Sequence, residues 1–220
     1  MRESVSRYIL RLALLLAGLA VAHLGVTLFL LADLGADPFN VLVQGLFRTA
    51  SGAGLGFLTH GGTHVAVSLL IIIVLLFADR SYIKPGTVIC MVCGGPIIDM
   101  FTLLLAPLFL PQPAMIARLL VNCLGCVILA LGMTVVISSD AGTGPNDLVA
   151  LVISDKSGKK FGPVRMAVDL LFVLAGWLLG GSVGIGTLIC ALLVGPVAGV
   201  FMPLSRRLTE RVLSLAGPKH

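Results

Sequence analysis

The sequence predicts an all-α integral membrane protein with six transmembrane helices, arranged as a 3+3 inverted-topology repeat with two short re-entrant half-helices. Three observations support this fold class. The 220 residues are 58% hydrophobic and 11% charged, with a mean hydropathy of +1.09. A soluble domain of this length has too little interior to bury so much apolar surface. The chain also contains six long apolar runs, and one polar, helix-breaking motif occurs twice.

The predicted spans are apolar runs of roughly the 20 residues that a bilayer requires. They cover residues 8–32, 57–78, 85–109, 114–138, 162–180 and 185–204. The first run is too long for the apolar region of a signal peptide and no small-residue cleavage site follows it, so we interpret it as a retained span. No large polar segment separates the runs, and we therefore expect a single membrane domain.

The repeated motif reads Asp-x-Gly-x-x-Pro, once in DLGADPFNVL (Asp33 to Leu42) and once in DAGTGPNDLV (Asp140 to Val149). Its glycines permit a turn, and its prolines suit the first position of a new helix, where an N–H would be unpaired anyway. Four residues therefore form the expected structural hinges, Gly35 and Pro38 in the first copy and Gly142 and Pro145 in the second. Asp37 is well placed to cap the first new helix, whereas Gly144 occupies that place in the second copy.

The apolar pieces after each motif, at about 38–48 and 145–154, are too short to span. Further similarity links the segments that follow, GTVICMVCGGPIIDMF from Gly86 and GTLICALLVGPVAGVF from Gly186, and also HVAVSLL and RMAVDLL. Three similar blocks in the same order indicate a duplication. We expect a first repeat at 1–110, with its re-entrant segment at about 33–50, and a second at 111–220, with its re-entrant segment at about 139–155 and a basic amphipathic tail.

Charge predicts the orientation. Lys and Arg cluster at the start of the chain, between spans two and three, between spans four and five, and after span six, whereas the connections after spans three and five carry no charge. All basic clusters share one side if six spans cross and both termini are cytoplasmic. Each half then has three crossings, an odd number, so the second half is inverted relative to the first. The expected location is a bacterial inner membrane, with the tail 204–215 along its inner surface.

Candidate substrate-binding residues are the ionisable and amide groups in or near apolar sequence, because such groups usually face a cavity or a partner in a membrane. They are Asp37, Asn40, Gln44, Asp99, Asn146, Asp147 and Asp169. The free N–H groups at the start of the two short helices carry a partial positive charge and would add to this site. A purely structural alternative stays open for Asp169, since Arg165 lies one turn earlier and could pair with it.

Other chemistry finds little support. The chain lacks a nucleophile elbow, a His-Glu-x-x-His motif, a phosphate-binding loop and a dinucleotide fingerprint, so we expect neither an enzyme nor a cofactor. The pairs Cys90-x-x-Cys93 and Cys123-x-x-Cys126 lie inside spans, where packing is a better explanation than a metal site. The net charge of +5 fits membrane orientation, and we expect no nucleic-acid partner.

Several motifs in order, LGADPFNVLVQGL, GT-x-IC-x4-GP-x2-D, GTGPNDLV and GGSVGIGT, cover nearly the whole chain. In these motifs the sequence resembles the bacterial YczE-type membrane proteins, which are similar to the YitT group. The resemblance implies a bacterial inner-membrane protein of about this topology. It supplies no established catalytic or binding residues.

The function that we predict is transport of a small polar or charged solute through a site between two opposed half-helix N-termini. A helix N-terminus favours an anion, whereas the acids favour a cation or proton coupling. An amino-acid-like zwitterion, or an organic acid moved with protons, satisfies both. The alternatives are an aquaporin-like channel and a non-transporting accessory subunit. Expected partners are the small-molecule substrate and membrane lipid, and a homodimer is left open.

Overall fold

The computed structural model describes residues 5–52, 54, 60–111 and 113–214. These residues form helices and turns and no strand. Within the described residues, eight α-helices follow one another: α1 Val5–Ala32, α2 Pro38–Gly52, α3 His60–Asp79, α4 Pro85–Leu105, α5 Met115–Ser139, α6 Pro145–Ser157, α7 Phe161–Leu178 and α8 Ile185–Ser214. Short 3₁₀ turns follow α3 and α4. The all-helical class predicted from the sequence is therefore confirmed.

Five helices are long and apolar enough to cross a membrane: α1, α4 with its following turn, α5, α7 and α8. The predicted span at 57–78 corresponds to α3, of which Thr63–Phe77 forms a shorter apolar stretch; residues 57–59 lie outside the described part of the chain. Helices α2 and α6 have 15 and 13 residues. At about 1.5 Å per residue, neither is long enough to cross a hydrocarbon core of about 30 Å.

The two copies of the motif adopt the same backbone conformation. Asp33 and Asp140 have φ values of 49° and 59°, and Gly35 and Gly142 have φ values of 135° and 143°. Positive φ is accessible to Asp and is readily adopted by Gly. In each copy Pro stands at the first position of the next helix, as α2 and α6 begin at Pro38 and Pro145. The sequence repeat is thus also a structural repeat in the turns at residues 33–37 and 140–144, which we call the first and the second break.

Helices α1 and α5 pack side by side in opposite directions at the centre of the protein. A Cβ added at Gly132 would lie 2.1 Å from the backbone nitrogen of Ala22, and one at Gly25 would lie 2.3 Å from that of Leu129. These glycines therefore allow the two backbones to approach more closely than larger residues permit.

The remaining helices surround this pair. Helix α8 packs on α5, where the Thr134 and Ser205 hydroxyls are 2.8 Å apart. The main hydrophobic core lies among α5, α7 and α8 and includes Cys126, Met133 and Val194. The basic segment 204–214 continues α8 as one helix, with Thr209 and Leu213 buried, and its position along the inner membrane surface stays a prediction. Leu204 and Leu208 stay exposed in this segment beside its basic residues.

Candidate functional site

Each break is tied to the other half of the chain by its backbone. The N–H of Gly186, at the start of α8, donates to the Leu34 carbonyl in the first break over 2.8 Å. The N–H of Gly86, at the start of α4, donates to the Ala141 carbonyl in the second break over 2.9 Å. Gly86 and Gly186 are equivalent in the repeat, as are Leu34 and Ala141. The two hydrogen bonds are therefore reciprocal.

Two arginines repeat this exchange at the ends of the α1–α5 pair. Arg118, at the start of α5, donates from Nε to the Ala32 carbonyl over 2.7 Å and contacts the Asp33 carbonyl and carboxylate. Arg11, near the start of α1, lies 2.5 Å from the Asp140 carboxylate. Both pairs, Arg11 with Arg118 and Asp33 with Asp140, are separated by 107 residues. We call these two groups the α5-start clamp (Arg118 and Asp33) and the α1-start clamp (Arg11, Lys84 and Asp140).

The α1-start clamp has a third member. Lys84 donates to the Asp140 carbonyl over 3.0 Å and also contacts its carboxylate. Burial works against the charge of Asp140, but the hydrogen bonds and charges of Lys84 and Arg11 outweigh this and hold the pKa of the carboxyl below its ordinary value. This clamp borders a cleft of about 720 Å³ that Arg7, Arg206 and Glu210 also line.

The N-terminus of α2 is capped by a side chain. Asp37 Oδ1 accepts hydrogen bonds from the backbone N–H groups of Phe39 and Asn40, over 3.1 and 3.2 Å. Its Oδ2 accepts from the Asn40 side-chain amide over 2.5 Å. The predicted cap is therefore present, and it places one carboxylate at the start of the short helix, where the helix dipole stabilises negative charge.

The N-terminus of α6 lacks such a cap, because Gly144 has no side chain to accept from the free N–H groups. Its acid comes three residues later, where Asp147 stands in the first turn. Thr143, just before the helix, is buried, and its hydroxyl has no hydrogen-bond partner. The first turn of α6 therefore combines uncapped N–H groups, a carboxylate and a buried hydroxyl.

Arg165 of α7 joins two acids. Its Nε donates to Asp169 Oδ2 over 2.9 Å, one turn along the same helix, and its Nη1 contacts Asp147 Oδ1 of α6. All three side chains are mostly or fully buried. The suggested Arg165–Asp169 pair is thus present, but its position beside α6 places it next to the second break. Only a guanidinium offers two donors in a fixed fork that suits two carboxylates at once.

Asp169 lies on α7, against which both short helices pack. It lies close enough to Asp147 and to Asp37 for both carboxylates to interact with it electrostatically. It is only 1% exposed, and its Oδ1 has no hydrogen-bond partner. We call Asp37, Asp147, Arg165 and Asp169 the central site. Asp37 directly precedes α2, Asp147 lies in α6, and Arg165 and Asp169 lie in α7.

Two aromatic contacts support the α2 end of this site. The Phe39 ring meets the Phe172 ring edge-on at a centroid distance of 5.6 Å, and it meets His64 of α3 at 5.2 Å. Phe172 lies one turn beyond Asp169 on α7. The first turn of α2 is therefore held against α7 and α3 by edge-to-face ring contacts, and these rings form an apolar surface beside the acids.

Two predicted residues lie elsewhere. Gln44 accepts from the Ser182 N–H over 2.6 Å in the loop after α7, close to Arg48, which binds the Gly180 carbonyl. Asp99 is exposed on α4, outside the central site. Asn40 and Asn146 are half-buried in the first turns of α2 and α6. The fold therefore brings together four of the seven candidates, Asp37, Asn40, Asp147 and Asp169. Asn146 lies next to Asp147 in the chain.

The sequence analysis did not identify Arg165 as a site residue. It also did not identify Arg11 and Arg118 as equivalent residues of the two repeats. The signal for Arg165 was a basic residue one turn before an acid in an apolar run. The signal for Arg11 and Arg118 was their separation of 107 residues, which is the separation of the two motifs. His23 of α1 is a further neighbour, since it interacts electrostatically with Asp147, while its Nδ1 lies 2.8 Å from the Leu19 carbonyl.

In the described part of the chain, the cysteines form no disulfide and no metal site is found. All five cysteines are unpaired thiols, and Cys126 of α5 lies against Cys190 of α8. Across the described residues no group of three or more His, Cys, Asp or Glu side chains is arranged to hold a metal ion.

Comparison with known proteins places the chain in a family. Residues 9–203 match the family of unknown function DUF6198. The chain belongs to this family. It is 29% identical over 201 residues to the uncharacterized membrane protein YczE of Bacillus subtilis, covering 91% of this chain and 89% of that protein. It is 27% identical over 193 residues to the uncharacterized protein YyaS of Bacillus subtilis, covering 86% and 91%.

A third relative is an uncharacterized protein of Haemophilus influenzae, 25% identical over 197 residues, covering 90% of this chain and 85% of that protein. No solved structure matches the chain. The YczE-type resemblance seen in the motifs is therefore confirmed, and the chain is a multi-pass membrane protein of a family whose function is not known. The matched region 9–203 contains both breaks and the whole central site.

Proposed function

We propose that the protein is a small secondary transporter for a polar or charged solute, with the central site as its binding site. The observation that carries this proposal is that α2 and α6 both pack on α7, on which Asp169 is buried. Two short helices that begin after a chain break bring Asp37 and Asp147 to the same buried acid. Broken helices that end at membrane depth are a common way for transporters to build a polar site inside an apolar protein.

The proposed topology is six spans in two inverted repeats, at 1–110 and 111–220, with α2 and α6 re-entering. The reciprocal hydrogen bonds at Gly86 and Gly186 support a two-fold relation between the halves, and so do the clamps at Arg11 and Arg118. When two halves are related by a two-fold axis, each contact from the first half to the second has an equivalent contact from the second half to the first.

The proposed orientation puts both termini in the cytoplasm of a bacterial inner membrane. The cleft beside the α1-start clamp contains Arg7, Arg11 and Arg206, and Lys84 lies in the clamp itself. Basic residues at one end of a bundle favour the cytoplasmic side. The α5-start clamp would then lie at the outer end, and a re-entrant α2 would enter from outside and a re-entrant α6 from inside.

The clamps suggest how the site is opened. Each holds the loop between a long helix and a short one, and each lies at one end of the α1–α5 pair. With both clamps formed, the central site is buried from both ends, which is the arrangement of an occluded intermediate. Breaking one clamp at a time would open the site to one side only, as alternating access requires.

The test uses single cysteines in a background without the five native ones. Asn40→Cys and Asn146→Cys report on the first turns of α2 and α6, and Thr49→Cys and Lys156→Cys on exposed positions reached by those helices. A membrane-impermeant thiol reagent is added to each side of oriented vesicles. We expect Thr49→Cys to be labelled from outside and Lys156→Cys from inside, and Asn40→Cys and Asn146→Cys to be labelled slowly, one from each side.

A panel of amino acids, amines and organic acids is then screened for solutes that slow labelling at both asparagine positions. A solute that protects both positions, and that crosses proteoliposomes only when the wild-type protein is present, supports the proposal. Labelling of Thr49→Cys and Lys156→Cys from the same side would contradict the inverted topology. Protection without flux would instead support a membrane accessory protein that binds a ligand.

A further inference from the structure

We propose that Asp169 Oδ1 binds one positive charge at a time, either a proton or the N–H group of a small nitrogenous cation, so that the substrate and the proton replace each other on this oxygen. The inference rests on the proposed function and names its substrate class and coupling. It makes the transporter an exchanger of protons for an amine-type or amidine-type cation. A free organic acid does not fit this site.

The charge count supports a cationic ligand. The central site contains the carboxylates of Asp37, Asp147 and Asp169 and one guanidinium, Arg165, which leaves two formal negative charges. Each helix N-terminus contributes about half a positive charge, so α2 and α6 together offset about one. One negative charge then stays uncompensated in a buried environment, where an unpaired charge is strongly disfavoured. A single added positive charge brings the site to balance.

The position of that charge follows from the hydrogen bonds. Asp37 accepts from two backbone N–H groups and one amide, so both of its oxygens are occupied. Asp147 Oδ1 and Asp169 Oδ2 share the Arg165 guanidinium. Asp169 Oδ1 has no partner, although the residue is 1% exposed. A buried carboxylate oxygen without a donor is rare in folded proteins, so Asp169 Oδ1 is the atom to which we assign the proton or the N–H group.

Among the described residues, the charged groups that interact with Asp169 besides Arg165 are the acids Asp147 and Asp37, whereas His23 of α1 interacts with Asp147. The helices packed on α7 are α2, α6 and α8. They present Asp37, Asp147 and the Cys190 thiol, which lies against Cys126. Two of these groups are acids and the thiols are buried. Arg165 already serves two carboxylates, so the added charge must come from solution.

The exchange balances in charge and atoms. When the cation arrives, its N–H donates to Asp169 Oδ1, and the O–H bond of the protonated carboxyl breaks, with the proton passing to water. When the cation leaves, a proton from water binds the same oxygen. No oxidant or other co-reactant is needed, and the net charge of the site is unchanged. Because the oxygen holds one ligand at a time, binding of either one releases the other.

The experiment measures proton release at equilibrium with the full-length protein in lipid nanodiscs. Guanidinium chloride at low, non-denaturing concentration is the probe, because it is small, permanently charged and rich in N–H donors. A pH-sensitive dye in weak buffer reports protons released, and potassium chloride at equal ionic strength is the reference. At mildly acidic pH, we expect guanidinium to release close to one proton per protein from the wild type, saturably, and potassium chloride to release none.

Asp169→Asn should abolish this release, and Asp169→Glu should retain it, because only the latter keeps a titratable oxygen. Asp99→Asn is the matched control, since Asp99 is an acid of a predicted span that lies exposed on α4 outside the central site; its release should equal that of the wild type. The infrared band of a protonated carboxyl in the wild type should also disappear when guanidinium is added. That second measurement keeps the test valid if Asp169→Asn fails to fold.

The proposal is overturned if the wild type releases no proton, if Asp169→Asn releases as many as the wild type, or if the carboxyl band is insensitive to guanidinium. The measurement does not depend on flux. Labelling from alternate sides without proton release would therefore retain the transporter and reject this exchange, whereas proton release without labelling from opposite sides would reject the transporter topology alone.

Discussion

Arg165 holds the central site together at the scale of single residues. Its fork bridges Asp147 and Asp169, two acids on different helices. Burying an ion pair adds little net stability, but removing one partner leaves the others buried and uncompensated. The residue is therefore more important as a positioning group than as a source of stability, since it sets the distance between α6 and α7 at the second break.

Replacing Arg165 should destabilise the protein strongly. Arg165→Met leaves Asp147 and Asp169 without a counter-ion, and we expect a loss of about 3–5 kcal/mol. Arg165→Lys keeps the charge but offers no fork, so it should restore only part of the loss. Thermal unfolding in detergent gives the comparison, with Arg207→Ala on the exposed face of α8 as the control.

If Arg165→Lys were as stable as the wild type, the two-acid fork would be unimportant. The triple variant Arg165→Met, Asp147→Asn, Asp169→Asn should recover much of the stability of Arg165→Met, because no unpaired charge stays buried.

Asp140 gives a pH-dependent contribution. Its folded-state pKa lies below the ordinary value of 3.8, so its contribution to stability is fully present above that pH and is lost as pH falls through the lower folded-state pKa. The side chain is 61% exposed, so the effect should be at most about 1 kcal/mol. The unfolding midpoint of wild type minus that of Asp140→Asn, followed from about pH 6 to about pH 3, should shrink towards zero. A difference independent of pH would contradict this.

At the scale of elements, the close α1–α5 pair is the rigid axis of the fold. Gly132 and Gly25 sit where a methyl group would meet backbone atoms of the facing helix, and backbone cannot rotate away as a side chain can. Glycines also allow close backbone contacts elsewhere: a Cβ at Gly176 of α7 would lie 2.5 Å from the backbone nitrogen of Leu42 in α2, and one at Gly195 of α8 would lie 2.5 Å from the Gly162 carbonyl.

Gly132→Ala should therefore force α1 and α5 apart. We expect a destabilisation of about 1–3 kcal/mol, as for overpacking of a close contact. Gly95→Ala in α4 is the matched control, because a Cβ there meets no atom within 4 Å, and it should be neutral or slightly stabilising. Thermal unfolding of both variants in the same detergent gives the answer; equal midpoints would mean that the α1–α5 contact tolerates the methyl group.

Most of these elements could be predicted from the sequence, because length, apolarity and Pro after Gly are local signals. Helices α2 and α6 begin at the predicted Pro38 and Pro145, and the Asp37 cap depends only on residues within one turn. The contact of Gln44 with Ser182 could not be predicted, because the two residues lie 138 positions apart in the sequence. The role of Arg165 was missed for the same reason, since pairing with Asp147 needs the packing of α6 on α7.

The whole molecule is organised by contacts between its halves. The two clamps lie at opposite ends and are equivalent in the repeat, but the α1-start clamp has Lys84 as an additional member. The two ends are therefore not equally strong. In the proposed transporter, the end with two basic partners should open less readily, and the resting protein should favour opening at the α5-start clamp.

Clamp variants should shift this balance in opposite directions. Asp33→Asn weakens the α5-start clamp and should raise labelling of Asn40→Cys from the outer side several-fold. Asp140→Asn weakens the α1-start clamp and should raise labelling of Asn146→Cys from the inner side by a similar factor. Labelling rates with an impermeant thiol reagent measure both. Equal increases at both cysteines in either variant would indicate general loosening and would argue against separate gates.

The crossed clamps also bear on ancestry. Arg118 closes the first break and Arg11 closes the second, so neither half contains the residues that complete its own turn. In the proposed inverted topology, a protein made of one such half would have to obtain these partners from another copy lying the opposite way across the same bilayer. The gene that was duplicated would then have encoded a chain that inserted in both directions, and its fusion would have made permanent an antiparallel pair that already existed.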